Sequence, residues 1–285
     1  MTRGIRGTHL RAVLCAALAL IAALVFAACG DSDDDGDQKL SVTLSGSAFT
    51  VPKSAEPGSA EISFKNEEKK GAADMQLIRV EGEHTPEEVV QALGGVMKGK
   101  AFPEWLFAAG GIALVPAGKS ATVDQVLVPG TYYPFNTESK GPPDPKTTVS
   151  FAVEGDESDA ELESDAVVTA DDADDDYQFS AEGLSSGKNE ILFENSGEQP
   201  HHLLLAEIKG DATVEDIEKA FKEEKGPPPL EEKGSQSTAV IEGGEGQLVT
   251  VDLKQGRYAM FCFITDRKGG KPHALKGMVD EVEVD

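Results

Sequence analysis

Cysteine, tryptophan and basic residues are scarce in this chain of 285 residues. It has three cysteines and one tryptophan, so a framework of several disulfides is excluded. Lysine and arginine together number 26, against 51 aspartate and glutamate residues, and the formal net charge is −25. Such a surface repels nucleic acid and anionic lipid headgroups, so we expect neither as a partner.

Sequence signatures of several enzyme classes are also missing. The chain contains no glycine-rich phosphate loop, no HExxH, no GxSxG and no CxxC, so no motif supports hydrolysis or group transfer. The acidic runs DSDDDGD and DDADDD lack the spaced ligands and the glycine of a defined calcium loop. We interpret both runs as solvated linkers.

The first 28 residues have the organisation of an export signal. Three arginines precede an apolar run that ends at Cys29, and this order is typical of a secretory signal peptide. The junction FAAC, which ends at Cys29, resembles the lipobox of bacterial lipoproteins. We therefore expect a lipoprotein signal peptide at 1–28, lipid on Cys29 and an acidic tether at 29–37, with the protein at the extracytoplasmic face of the cell membrane. An ordinary signal peptide or one uncleaved helix is the alternative.

Two copies of one pattern follow, at a period of about 128 residues. The segment MQLIRVEGEHTPEEVVQAL of the first copy matches LLLAEIKGDATVEDIEKAF of the second. Each predicts a strand, a glycine turn, a threonine cap and a short helix, and the other short strands predict a β-sandwich in each copy. We place the domains at 38–154 and 177–285. The acidic segment 155–176 has a composition that cannot bury a core, and we interpret it as a linker in which VVTA is a candidate edge strand.

Candidate metal ligands are concentrated in the second copy. His201 and His202 stand at the start of one strand, Cys262 stands near the end of another, and His273 and Met278 follow in a loop. A thiolate and two imidazoles bind copper strongly, and a thioether can cap one axis weakly. Because successive side chains of a strand point to opposite faces, only one histidine of the pair can face the cysteine.

This pattern resembles the cupredoxins, the plastocyanin and azurin family, over residues 177–285. The stretch NSGEQPH, ending at His201, carries the resemblance together with Cys262, His273 after ten further residues and Met278 after four more. The resemblance implies an all-β protein of two tandem cupredoxin-like Greek-key sandwiches, each with a short helical insertion. It also implies one copper in the second domain, bound by these four side chains.

The resemblance further implies one-electron transfer with redox protein partners, or copper handling, by a protein that is not an enzyme. His202 then points away from the copper, towards solvent, as an electron-transfer or docking contact. In the first copy Asn136 holds the position of Cys262, and we predict a first domain without metal ligands. The alternative is a metal-free cell-envelope binding or scaffold lipoprotein with the same fold.

Overall fold

Alternation of buried and more exposed side chains builds most of the strands. In the segment Gly58–Asn66 every second residue is buried, which is the period expected when one face of a strand packs on a core. The computed structural model describes residues 38–139, 141, 143–173, 176–223 and 226–285, and these belong to one compact unit. The predicted signal peptide, Cys29 and the tether lie outside the described residues. Within the described part of the chain, no helix is long and apolar enough to cross a membrane.

Strands dominate both halves of the described chain. The first half contains β1 (Gln38–Ser45), β2 (Ala48–Thr50), β3 (Ser54–Ala55), β4 (Gly58–Asn66), β5 (Ala72–Val80), α1 (Pro86–Val96), β6 (Leu106–Pro116), β7 (Ser120–Leu127), β8 (Gly130–Phe135) and β9 (Phe151–Val153). The second half contains β10 (Ala166–Asp171), β11 (Gln178–Glu182), β12 (Gly187–Asn195), β13 (Leu204–Glu207), α2 (Val214–Glu223), β14 (Gln236–Ser237), β15 (Gly246–Leu253), β16 (Gly256–Phe261), a short 3-10 turn (His273–Leu275) and β17 (Val279–Val284). The prediction of an all-β fold with one short helix in each half is confirmed.

The two halves have the same strand order. The larger sheets run β2-β1-β4-β7 and β11-β10-β12-β15, and the smaller sheets contain β9-β8-β5-β6 and β17-β16-β13-β14. In each larger sheet one pair is parallel, β1 with β4 and β10 with β12. Each half is therefore a two-layer sandwich, and each has its own apolar core between the layers.

Both helices begin at a threonine cap and cover the outer face of a smaller sheet. Thr85 and Glu88 form a capping box at the start of α1, and Thr213 makes the corresponding bonds with Asp216 before α2. These reciprocal bonds satisfy N–H groups that a helix start leaves free. Helix α1 packs on β5 and β8, and α2 packs on β13 and β16.

A continuous sheet joins the two halves. Strand β15 pairs with β7 in antiparallel register, with Gln247 opposite Gln125, so the two larger sheets form one sheet of eight strands. The Gln76 side chain adds a second connection, because it donates to the Val240 carbonyl at 2.9 Å and accepts from the Val240 N–H at 2.8 Å. The halves thus have separate cores but share a sheet.

The segment 155–176 contains a core strand. Ala166, Val168 and Ala170 of β10 are buried in the second core, and β10 lies between β11 and β12 rather than at the sheet edge. Small apolar residues at every second position are enough to cover one face of a strand. From residue 166 onward this segment belongs to the second sandwich, which corrects its interpretation as a linker that cannot bury a core.

Candidate metal centre

The main chain around His201 turns its imidazole into the second core. The His201 N–H donates to the Ile241 carbonyl at 3.0 Å, and the Ile241 N–H donates back at 2.9 Å. Before it, the Asn195 side chain donates to the Gln199 carbonyl at 2.7 Å and accepts from the Gly197 N–H at 3.1 Å. These bonds fold the loop that ends at His201, whose side chain is completely buried.

Cys262 follows β16 directly, and the chain returns to it through the 3-10 turn. The Ala274 N–H donates to the Cys262 carbonyl at 2.7 Å, and the His273 N–H donates to the Ile264 carbonyl at 2.8 Å. The Met278 N–H in turn donates to the His273 carbonyl at 3.0 Å. Cys262, His273 and Met278 are all completely buried, and the cysteine and methionine belong to the same apolar core.

Three donor atoms converge at this end of the core. One ligand atom each from His201, Cys262 and His273 lies within 4.8 Å of the other two. The two Nδ1 atoms are 3.1 Å apart, and the Cys262 Sγ lies 3.6 Å from the His273 Nδ1. His202 lies outside this group, and its Nε2 accepts a hydrogen bond from the Phe263 N–H at 3.0 Å.

A carboxylate orients each imidazole through its other nitrogen. The Asp172 Oδ2 lies 3.0 Å from the His201 Nε2, and the Asp266 Oδ1 lies 3.1 Å from the His273 Nε2. Because an ionised carboxylate only accepts hydrogen bonds, each Nε2 carries the proton and each Nδ1 presents its lone pair. Two lone pairs that face each other at 3.1 Å repel unless a cation lies between them. Histidines that bind metals commonly donate their other ring N–H to a carboxylate, as both rings do here.

Sequence reasoning missed Asp172, which lies in the run DDADDD that we interpreted as solvated. Its side chain is nearly buried and accepts from the N–H groups of Glu198 at 2.9 Å and Gln199 at 2.7 Å. Burial raises the pKa of Asp172, but these N–H groups and His201 outweigh burial and hold the pKa below its usual value. Gly197 permits this packing, since a Cβ there would lie 2.4 Å from the Asp172 Oδ2.

Asp266 is the centre of a second network that sequence reasoning missed. The Tyr177 hydroxyl donates to the Asp266 Oδ1 at 2.7 Å, and Lys276 pairs with Asp266 and donates to the Tyr177 oxygen at 2.9 Å. Burial raises the pKa of Asp266, but the bonds from Lys276 and Tyr177 outweigh it and the net pKa is lowered. The Tyr177 ring lies 4.7 Å from the His273 ring, centroid to centroid, and covers it.

Burial keeps the three converging side chains neutral at neutral pH. It lowers the pKa of His201 and, with the neighbouring His201 adding to the effect, lowers the pKa of His273 to about 3. Burial raises the pKa of the Cys262 thiol to about 12, against the backbone N–H groups of His202 and Ile264, whose hydrogen bonds favour the thiolate. A cation that binds here must therefore displace the thiol proton.

The chemistry of this donor set fits copper. Two imidazole nitrogens and a thiolate bind copper strongly, and a long, weak thioether contact adjusts the redox potential. Met260 and Met278 both lie buried in the same core as Cys262. Met278 is the candidate thioether, because its N–H donates to the His273 carbonyl and so fixes it beside the ligand loop. The apolar surroundings and the carboxylates behind both imidazoles add the outer contacts that orient metal ligands.

The corresponding place in the first half is filled by hydrogen bonds. Ala73, a buried residue of β5, holds the position of His201 in the repeat, and Asp74 holds that of His202. The Asn136 Oδ1 accepts from the Asp74 N–H at 3.4 Å, and the Asp74 carboxylate accepts from the Thr137 N–H at 2.6 Å. Among the described residues, the cluster around His201 is the one group of histidine, cysteine and carboxylate side chains with metal-ligand spacing.

Comparisons with known proteins return similar structures but no family. No family model and no curated protein matches the chain. The chain is similar to auracyanin A, a "blue" copper protein from Chloroflexus aurantiacus, with 20% identity and a TM-score of 0.28, over 42% of this chain and 98% of that one. It is similar to copper nitrite reductase from Nitrosomonas europaea, with 12% identity and a TM-score of 0.25, over 88% and 94%. It is also similar to a multi-copper oxidase from Pediococcus acidilactici, with 11% identity and a TM-score of 0.24, over 89% and 60%.

Identities and TM-scores of this size assign neither a ligand nor an activity to this chain. One interpretation from the sequence, that the chain is not an enzyme, has to be corrected. A nitrite reductase and a multi-copper oxidase stand among the similar structures, and that interpretation is contradicted. The interpretation rested on missing local motifs, which cannot exclude an activity, because function is set by the site and not by the fold.

Proposed function

We propose that this chain binds one copper ion through His201, Cys262 and His273, with Met278 as a weak fourth ligand, and uses it for one-electron transfer. The observation that carries the proposal is the convergence of two Nδ1 atoms and one Sγ within 4.8 Å, while both Nε2 atoms are bound to carboxylates. When bound, copper supplies the one-electron couple between Cu(II) and Cu(I).

The chain's own residues hold the donors in place and keep water away from them. Asp172 and Asp266 keep a proton on each Nε2, so each Nδ1 remains a donor. The N–H groups of His202 and Ile264 stabilise the Cys262 thiolate once its proton has left. Because hydrogen bonds fix these groups before the metal binds, a change of copper charge requires little rearrangement of the site.

Complete burial of the donors favours electron transfer over copper handling. The side chains of His201, Cys262, His273 and Met278 are all fully buried. Delivery of copper to another protein requires ligand exchange, and the ring of Tyr177 and its bonded loop would have to open first. An electron can tunnel through the Tyr177 ring and this loop without any opening.

We further propose that the protein acts at the extracytoplasmic face of the cell membrane. The support is the order of basic residues, apolar run and FAAC junction that ends at Cys29. Lipid on Cys29 would anchor the chain, and exported redox proteins are its expected partners. The strongly acidic composition suits a soluble domain outside the cell.

Copper titration of the purified full-length protein tests the proposal. We expect a visible charge-transfer band that saturates at one copper per chain. Cys262→Ser should abolish the band and leave the β-sheet circular dichroism close to wild type. His84→Ala is the matched control, because His84 stacks on Trp105 outside the cluster, and it should keep the band. A wild-type protein that forms no band with Cys262 reduced would defeat the proposal and favour the metal-free envelope module.

A further inference from the structure

Large apolar side chains that stay exposed gather at one groove. Among the described residues these are Met97, Leu114 and Phe263, which are 56%, 49% and 40% exposed. All three line a cavity of about 610 Å³, and His202 lines it as well. Single exposed apolar residues need no explanation, but a cluster of them in a concave surface marks a binding site. The cavity also lies within the size range of small-molecule sites.

Leu114 gives a second, independent indication. Its φ is +45° inside strand β6, a left-handed conformation that residues with a side chain rarely adopt. Such residues persist where the surrounding structure holds them, and they are concentrated at ligand sites. Here the unusual conformation belongs to a half-exposed leucine in the lining of the groove.

The groove is connected to the proposed copper site by a short bonded route. Phe263 follows Cys262 in the chain, and its N–H donates to the His202 Nε2 at 3.0 Å. His201 and His273 are fully buried and have their Nε2 atoms on carboxylates, so neither ring reaches the groove. Electrons tunnel more readily along bonded atoms than across gaps. His202 is therefore the imidazole that connects the copper site with a ligand in the groove.

The lining also selects the charge of the ligand. It contains no lysine or arginine, and the chain has a net charge of −25, so an anion finds no counter-charge. The lining has two carboxylates, Asp74 and Glu138. That of Asp74 is already bonded to Thr137, and that of Glu138 is exposed to water, where the attraction for a cation is weak. Because the His202 Nε2 accepts a hydrogen bond, the neutral ring carries its proton on Nδ1, for which the described residues provide no acceptor. A neutral, apolar ligand with an accepting oxygen meets these conditions.

We propose that this groove binds an uncharged quinone or hydroquinone, with one oxygen on the His202 Nδ1–H, and that His202 relays electrons between this ligand and Cys262. The electron relay rests on the proposed copper function, whereas the binding does not. One hydroquinone and two copies of the protein holding Cu(II) give one quinone, two copies holding Cu(I) and two protons. The protons pass to water at the open side of the groove.

Binding is tested on the copper-free full-length protein by equilibrium dialysis with 2,3,5,6-tetramethyl-1,4-benzoquinone. We expect saturable binding to one site, weakened at least tenfold by Leu114→Trp, which fills the groove. Val149→Trp is the matched control, because Val149 lines a separate groove of about 610 Å³ in the first half, and it should leave the dissociation constant unchanged. No saturable binding, or equal weakening in both variants, would overturn the site. This measurement needs no copper, so it separates failure of the groove from failure of the copper site.

The relay is tested by stopped-flow bleaching of the visible band with tetramethylhydroquinone. In the wild type the rate should saturate with hydroquinone concentration. His202→Leu should slow the saturated rate at least tenfold with the band unchanged, and His202→Gln should recover most of it, because the Gln oxygen can accept the Phe263 N–H. Equal rates in His202→Leu and wild type would overturn the relay. A linear dependence without saturation would overturn transfer from the bound ligand.

Discussion

Replacing Asp172 with asparagine should weaken copper binding while the protein stays folded. Asp172 accepts hydrogen bonds from the His201 Nε2 at 3.0 Å and from the N–H groups of Glu198 and Gln199 at 2.9 and 2.7 Å. Asparagine offers one accepting oxygen and one donating amide, so at least one of these three donors then faces another donor. With the oxygen at the Oδ2 position, the His201 Nε2–H, the Gln199 N–H and, at 3.1 Å, the Glu198 N–H keep an acceptor that has lost its negative charge. With the amide at that position, His201 and Gln199 lose the acceptor itself.

The magnitude follows from the burial of these groups. A buried hydrogen-bonding group left without its partner costs about 1–3 kcal/mol, and loss of the partner behind a ligating histidine typically lowers metal affinity about 10–100-fold. We therefore expect Asp172→Asn to bind copper at least tenfold more weakly than wild type. The copper-free variant should also unfold at a lower urea concentration.

Competition against a chelator of known copper affinity measures the first effect, and urea denaturation measures the second. Asp171→Asn is the matched control, because its carboxylate accepts from the exposed Ala173 N–H at 3.1 Å and does not contact His201. Copper affinity within twofold of wild type in Asp172→Asn would refute the role given to this carboxylate. Equal losses in the two variants would point to general charge instead.

Three further outcomes are expected. The copper-free protein should lose stability as the pH falls below about 6.5, because burial holds the pKa of His273 at about 3 and only the unfolded chain takes up the proton. The shift of this one pKa should make the free energy of unfolding, measured by urea denaturation, about 2 kcal/mol lower at pH 5 than at pH 7. An unchanged free energy would contradict the burial of His273. Met278→Leu should keep the visible band and raise the redox potential, because loss of a weak thioether favours Cu(I); a redox titration that gives a lower potential would count against Met278 as a ligand. Cys29→Ser should move the protein from the membrane fraction to the soluble fraction, and an unlipidated soluble wild type in its native host would exclude the anchor.

The repeat and the converging residues could be predicted because both leave local signals. Strand alternation and the threonine caps at Thr85 and Thr213 are visible in short windows of sequence, and the same windows occur twice. His201, Cys262 and His273 are few, chemically distinct residues in a recognisable order. Their convergence could therefore be predicted from the sequence.

The outer contacts of the site could not be predicted in the same way. Asp172 stands in an acidic run whose composition is that of a solvated segment, and its burial depends on strand β10 running parallel to β12. The alternation in VVTA was the one signal that could have placed it beside the loop before His201. Tyr177, near the start of the second half, meets Asp266 and Lys276 near its end, and no local pattern records such a contact.

The shared sheet also left no local signal. The pairing of β15 with β7 joins residues about half the chain apart, through Gln125 and Gln247. Both strands look like ordinary members of their own sandwich. Only the assembled structure shows that their free edges meet.

Copper K-edge X-ray absorption of the copper-loaded full-length protein tests the central claim most directly, because it reports the atoms bound to the metal. The account predicts one short copper–sulfur distance and two copper–nitrogen distances from imidazole, with the short sulfur contribution missing in Cys262→Ser. A spectrum with nitrogen and oxygen neighbours alone, unchanged by Cys262→Ser, would contradict a copper site built on His201, Cys262 and His273.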